Sequence, residues 1–310
     1  MDATDTVILG SDYSRIRAQA ANFAAELEAC LTADEIDLPS LPDVVLKIRE
    51  ALARDDVDLN RIAELAGADP ALAARLMKIA NSALFSRSNV PPGSLHEAIV
   101  RLGSRTVRNT AIALAAQQVF IGYSSGSVRT EVGRVWRHSV YVAALSHLLL
   151  TLKRTEIPPE DGFLAGLLHE VGTLFILLRS KDQEALWSEA NALAAVIQAW
   201  QARIGAKIVK QWEFSPALIE AVREQDSRDL TCTLPITLAD VVCVANYLAD
   251  ASEETYDLET LLAELPDLGA FSLDQESLTF ALETAREEVD MLLSNLESGN
   301  RVQTKTASSA

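Results

Sequence analysis

An all-α protein is what this sequence predicts. Apolar residues recur every three or four positions from Asp43 to Asn295, and no β-branched alternation lasts beyond about four residues. Phosphate-cradling loops of the GxGxxG or GxxxxGK[ST] kind are also absent, which removes the sheet-based nucleotide folds.

The periodicity places the elements in order. Residues 12–31 carry Ile16, Ala20, Phe23, Leu27 and Leu31 on one side of a first helix. Pro39 and Pro42 set the approach to a second, with Val44, Val45, Ile48 and Leu52 as its apolar stripe. Leu59, Ile62 and Leu65 mark a short helix. Asp69-Pro70 then reads as an N-cap followed by proline at the first helical position, with Leu72, Leu76 and Ile79 buried behind it. SNVPPGS is a loop; SLHEAIVRLG is a helix expected to stop at Gly103, and a longer one follows, with Val107, Ala111 and Leu114 inward.

The segment GYSSGS, 122–127, combines two glycines with three serines and is the expected boundary between two helical parts. Beyond it, Val135, His138, Val142, Leu145, Leu149 and Leu152 share one helix face. FLAGLLHEVGTLFILL is read as the next helix. Further helices are expected at 182–212 with a break, at 216–225 and at 234–250, then a turn-rich stretch and a last helix over 274–296. The resulting division is an N-terminal helix, 1–34, two helical parts, 35–121 and 128–250, an acidic helical extension, 251–296, and a disordered tail, 297–310.

The chain has 310 residues and a net charge of -17, which repels nucleic-acid phosphates and anionic headgroups, so neither broad nucleic-acid binding nor a membrane site is expected. No signal peptide opens the sequence, and the longest apolar run contains His169 and Glu170, so a cytoplasmic location is expected. Cys30, Cys232 and Cys243 are too scattered for a disulfide framework or a thiolate zinc site. Against the acidic background, Arg101, Arg105, Arg108, Arg129, Arg134 and Arg137 face only Glu131 between positions 101 and 137. A small anionic ligand or an acidic partner would suit them.

Polar residues inside apolar helices are the candidate site. His138, His169, Glu170 and Asp240 offer two imidazoles and two carboxylates, an inventory that suits one divalent metal. Neutral histidines hydrogen-bonded to carboxylates satisfy the same inventory without one. Gly166 and Gly172 flank the His-Glu pair and allow a neighbouring helix to approach closely. His147, nine residues beyond His138, points away from that stripe, and Trp136, Trp200 and Trp212 read as packing residues.

In LPSLPDVVLKIRE, DPALAARLMKIANSALF, LHEAIVRLG, VWRHS, FLAGLLHEVG and LAD, over roughly residues 35–250, the chain resembles the HDOD family, divergent relatives of HD-domain metal-dependent phosphohydrolases. The resemblance implies a two-part helical HDOD fold with a divergent HD-like core, in a family found in bacterial signalling and regulatory proteins. Carried over residue by residue, it places metal ligands at His138 of WRHS, His169 and Glu170 of LLHE, and Asp240 of LAD. Two departures stand out. Glu170 replaces the usual aspartate and extends its carboxylate by one methylene, and Gln201 and Glu224-Gln225 stand where two-metal relatives carry histidines. A two-metal hydrolytic centre is therefore not expected.

No catalytic residue and no resident cofactor is assigned. The expectation is a non-enzymatic signalling or regulatory scaffold acting through a signalling protein partner or a small ligand, with the arginine-rich junction or the 12–31 helix as its contact. The alternative is a one-metal HD-type phosphohydrolase acting on a nucleotide or cyclic dinucleotide, with His138, His169, Glu170 and Asp240 holding the ion.

Overall fold

The structure, a computed structural model, describes residues 3–34, 36–37, 47–48, 50–51, 58–82, 84–85, 90–122, 124–153, 155–226, 234–253, 271 and 274–293. Among the described residues all regular structure is helical. Most of the expected helix after Pro39, Cys232, most of the 251–273 stretch and the tail after 296 lie outside the described residues; 47–48 and 50–51 are helical, and Ile48 is buried.

Helix α1 (Ala3–Thr32) begins earlier than the apolar stripe alone suggests and buries Phe23 and Leu27. Its C-terminal carbonyls would be orphaned in an apolar setting, and Lys207 supplies the donors, bonding the carbonyl oxygens of Cys30, Leu31 and Ala33. Helix α2 (Leu59–Gly67) is capped by Asp58, whose carboxylate accepts from the amides of Asn60 and Arg61. Helix α3 (Pro70–Ala80) opens as the sequence predicts, with the Asp69 carboxylate accepting from Leu72 N at 3.2 Å. These two pack on α4 (Leu95–Gly122), which bends at Gly103, where φ is 76°. That left-handed conformation suits glycine and breaks the helix where the sequence expects a stop.

Helix α5 (Gly126–Lys153) is the axis of the molecule and contacts α4, α6 (Pro159–Leu168), α7 (Val171–Arg179), α11 (Leu238–Glu253) and α12 (Gln275–Leu293). The sequence assigns it one buried face. In fact every residue from His138 to Leu150 is buried, because neighbours surround it on all sides. Helix α8 (Glu184–Ser188) and helix α9 (Ala190–Gln211) follow a break at Glu189, and α9 spans α7, α1 and α10 (Pro216–Glu224). The region 159–182 is long and apolar enough to cross a membrane by composition, but it lies mostly inside the protein.

Candidate metal centre

Adjacent residues on a continuous helix point about 100° apart, so His169 and Glu170 could not both address one point from a single helix. The structure corrects that reading of FLAGLLHEVGTLFILL. Helix α6 ends at Leu168, Glu170 sits at φ −95° and ψ 20°, and α7 starts at Val171. The break turns both side chains toward His138 on α5. Ligand atoms of His138, His169 and Glu170 lie within 4.8 Å of one another.

Glycines make this meeting of helices possible. A Cβ on Gly166 would stand 2.7 Å from Ala143 Cα, and one on Gly172 would stand 2.0 Å from the carbonyl oxygen of Gln201. Both distances are far inside contact range, so α6 meets α5, and α7 meets α9, backbone to backbone.

His169 is fully buried. Its Nδ1 is 2.6 Å from Gly166 O, a carbonyl that can only accept, so Nδ1 carries the proton and Nε2 presents a lone pair. That Nε2 is buried and makes no hydrogen bond of ordinary length, although the Asn246 side chain lies close enough to act on the ring. Burial, reinforced by nearby His138, lowers the His169 pKa to about 3, and the ring is neutral. Desolvation pushes the Glu170 carboxyl up to about 7, against the attraction of His138 and Arg134. The site thus holds a neutral imidazole beside a carboxyl that keeps its proton up to about neutral pH.

Asp240 stands apart from the cluster, and the expected pairing with a histidine is replaced by a local one. Its carboxylate accepts from the amide of Thr237 at 2.8 Å and the Thr237 hydroxyl at 2.7 Å, while Thr237 Oγ1 accepts from Asp240 N. This is a capping box at the start of α11, and it satisfies the aspartate there. Asp250 of α11 brings its Oδ1 to 3.8 Å from His138 Nδ1, and the α11 residue hydrogen-bonded at the cluster is Asn246, whose Oδ1 lies 2.8 Å from His138 Nε2. Its Nδ2 donates to Gln225 O at 3.4 Å, which fixes the carboxamide orientation and makes His138 Nε2 the donor. Asn246 and Asp250 escaped the sequence reading because the LAD match drew attention to position 240; the signal was a second LAD, residues 248–250, ten residues on within ANYLAD.

The positions where histidine is replaced are also placed. Gln201 is buried, accepts from the Thr173 hydroxyl and donates to the Asp226 carboxylate. Gln225 ends α10 and is 1% exposed. Among the described residues there is one group of three potential metal ligands and no second. His147 is buried elsewhere, its ring 4.7 Å from that of Phe85.

The arginines serve several purposes. Arg105 binds Asp161 at 2.8 Å, joining α4 to α6, and Arg134 binds Glu131 at 3.0 Å, while Arg129 and Arg137 are exposed on α5. Trp136 is buried in the core, and Arg203 lies over the ring of Trp200.

An all-helical frame that gathers a histidine from α5 with a histidine and a carboxylate from the α6–α7 turn is that of the HD-like class. Within that class, the HDOD domain matches residues 38–228, and the chain belongs to the HDOD family. It is similar to a putative metal-dependent phosphohydrolase from Shewanella amazonensis SB2B, at 26% identity and a TM-score of 0.69 over 86% of this chain and 99% of that one. An HDOD domain protein of unknown function from Geobacter sulfurreducens shares the fold at 24% identity, with a TM-score of 0.64 over 89% of this chain and 99% of the other. An uncharacterised protein of Treponema pallidum (strain Nichols) is 27% identical over 221 residues, 67% of this chain but only 40% of that protein. The chain thus spans about two fifths of the length of that relative.

Proposed function

We propose that this HDOD chain is a regulatory module that binds one divalent cation at His138, His169 and Glu170 and, on it, a phosphate-bearing ligand. One observation carries the reading: potential ligand atoms of His138, His169 and Glu170 lie within 4.8 Å of one another, with the buried Nε2 of His169 in no hydrogen bond of ordinary length. Leaving a buried acceptor unsatisfied costs about 1–3 kcal/mol, and a cation removes that cost. Imidazole and carboxylate together suit Mn²⁺, Fe²⁺ or Zn²⁺, and three protein ligands leave room for a phosphate oxygen. When bound, the metal supplies Lewis-acid attraction for that oxygen. His138 takes part by giving up its Nε2 proton, and Asn246 competes with the cation for that nitrogen.

Elemental analysis of protein exposed to each metal tests this directly. One equivalent is expected for wild type and none for His169→Ala; equal metal in both, or none in either, sinks the site. A second reading, slow hydrolysis of a nucleotide or cyclic dinucleotide, is favoured by the relative named as a putative metal-dependent phosphohydrolase. Metal-dependent turnover lost with His169→Ala supports it, and stoichiometric metal without turnover leaves regulation by binding.

Output through a signalling protein partner in the cytoplasm completes the proposal. Exposed Arg129 and Arg137 on α5 offer an acidic partner a positive contact in a chain of net charge -17. Crosslinking from the native cell, comparing wild type with an Arg129→Glu/Arg137→Glu variant, distinguishes this surface from others.

A further inference from the structure

His138 meets the same helix at both of its ring nitrogens. Asn246 and Asp250 are four residues apart on α11, so their side chains share one face, and both reach this imidazole. Asn246 Oδ1 lies 2.8 Å from His138 Nε2, and Asp250 Oδ1 lies 3.8 Å from His138 Nδ1. The two distances differ in kind. The first is a hydrogen bond in which Nε2 donates; the second is too long for one.

A neutral imidazole carries one proton and donates from one nitrogen at a time. With that proton on Nε2, Nδ1 turns a lone pair toward a carboxylate, and two acceptors do not bond, which accounts for the longer distance. The Asn246 side chain also lies close enough to act on the His169 ring, so the Nε2 edge of His138 is the one turned to the cluster. A cation held there needs a lone pair where the proton now sits.

We infer that Asp250 is the positioning residue that releases His138 to the cation, by accepting a hydrogen bond from Nδ1 once Nε2 has given up its proton. The exchange balances: Nε2 loses a proton to solvent, Nδ1 takes one up, and the ring carries one proton before and after. Histidines that ligate metals characteristically donate their other N–H to a carboxylate, which fixes tautomer and ring orientation. Asp250 can close the remaining gap by a side-chain torsion, since its side chain is 66% exposed. An ion pair so exposed contributes little to stability, so replacing it is expected to leave the fold intact. The inference rests on the proposed metal site and adds that its readiness is set by a carboxylate on the far edge of the His138 ring.

Zn²⁺ titration of the full chain, read by competition with a chromophoric chelator and by NMR of labelled histidine rings, tests this. In zinc-loaded wild type the His138 Nδ1–H proton, assigned by its loss in His138→Gln, is expected as a downfield signal protected from solvent exchange. Asp250→Ala is expected to lose that signal and to bind Zn²⁺ about tenfold more weakly, within the range that partners of metal ligands command. Asp250→Asn, which keeps an oxygen acceptor and drops the charge, is expected to keep the signal and lose less affinity. The inference is overturned if zinc-loaded wild type keeps the proton on Nε2, or if Asp250→Ala binds as tightly as wild type. It is equally overturned if Ala and Asn lose affinity alike while the Nδ1–H signal is unmoved, because the effect is then that of one negative charge and not of the tautomer. One equivalent of zinc with an indifferent Asp250 discards the inference alone; a wild type that takes up no more zinc than His169→Ala discards the metal site and the inference with it.

Discussion

The two sides of the centre differ in chemistry but share one frame. On the α5–α6–α7 side, His138, His169 and Glu170 retain imidazole and carboxylate groups, with His169 buried behind glycines that admit no side chain. On the α9–α10–α11 side, the carboxamides Gln201, Gln225 and Asn246 stand among the carboxylates Asp226, bonded to Gln201, and Asp250, 3.8 Å from His138 Nδ1. Both sides keep helices packed backbone to backbone, so the scaffold does not depend on what the polar residues do. Amides cannot neutralise a second cation, yet they hydrogen-bond in directions that imidazole ligands cannot.

The packing shared by both sides is where the largest effect is expected. Gly172→Ala would push a Cβ to 2.0 Å from the Gln201 carbonyl oxygen, and backbone on both helices would have to move. A loss of about 3 kcal/mol or more is expected, at the upper end of overpacking effects. Gly133→Ala on α5 is the control, because nothing lies within 4 Å of its added methyl, and replacing a helix-interior glycine is expected to gain up to about 1 kcal/mol. Thermal denaturation followed by circular dichroism should separate the two; similar melting temperatures would mean that α7 and α9 do not approach so closely.

Restoring a carboxylate on the amide side should shift the ion-binding half. Asn246→Asp places a charged acceptor beside His138, where Asn246 now holds the proton on Nε2. An increase of about tenfold in Mn²⁺ affinity is expected, within the range that groups around a metal ligand command. Unchanged affinity by calorimetry would show that the cation does not use His138.

Asp240→Leu should do less. It removes the Thr237 capping box and costs about 1 kcal/mol, with metal content and histidine titration unaffected. A change in the His169 titration would bring Asp240 back to the site.

Which features were legible follows from their physical range. Local rules sufficed for the Asp69-Pro70 start of α3, the stop at Gly103 and the broken 182–212 helix, since caps, glycine conformations and periodicity are written in a few neighbouring residues. His138, His169 and Glu170 stood out because polar groups in apolar stretches need partners. The break between α6 and α7 was hidden, because FLAGLLHEVGTLFILL has continuous helical composition and the turn arises from what both flanking helices pack against. Asp240 misled for a similar reason. Its apolar surroundings suggested deep burial, whereas a position three residues after Thr237 placed it in a cap at the helix start. The link from Asn246 to Gln225 spans two helices and has no local signature.

The smallest effect concerns the junction between the N-terminal layer and α5, and it is read through pH. His147 is buried on α5, with Phe85 of the N-terminal layer against its ring and Phe163 beyond it. Burial lowers its pKa, opposed by the negative charge of Glu160 and by backbone carbonyls of Pro159 and Leu84. The folded state therefore holds fewer protons on this ring than the unfolded chain does below the ordinary histidine pKa of about 6.5, so its contribution is fully present above that pH and is lost as the solution is acidified. His147→Leu removes this dependence along with the carbonyl bonds. Measured as a difference in melting temperature, wild type minus variant should hold nearly constant from about pH 7.5 to 6.5 and decline from there to about pH 5. His169, whose pKa is also lowered, acidifies in the same direction in both proteins and cancels in the subtraction. A difference that stays flat across this range would mean that His147 is solvated or paired in the folded protein and that the layer junction is looser than Phe85 and Phe163 make it.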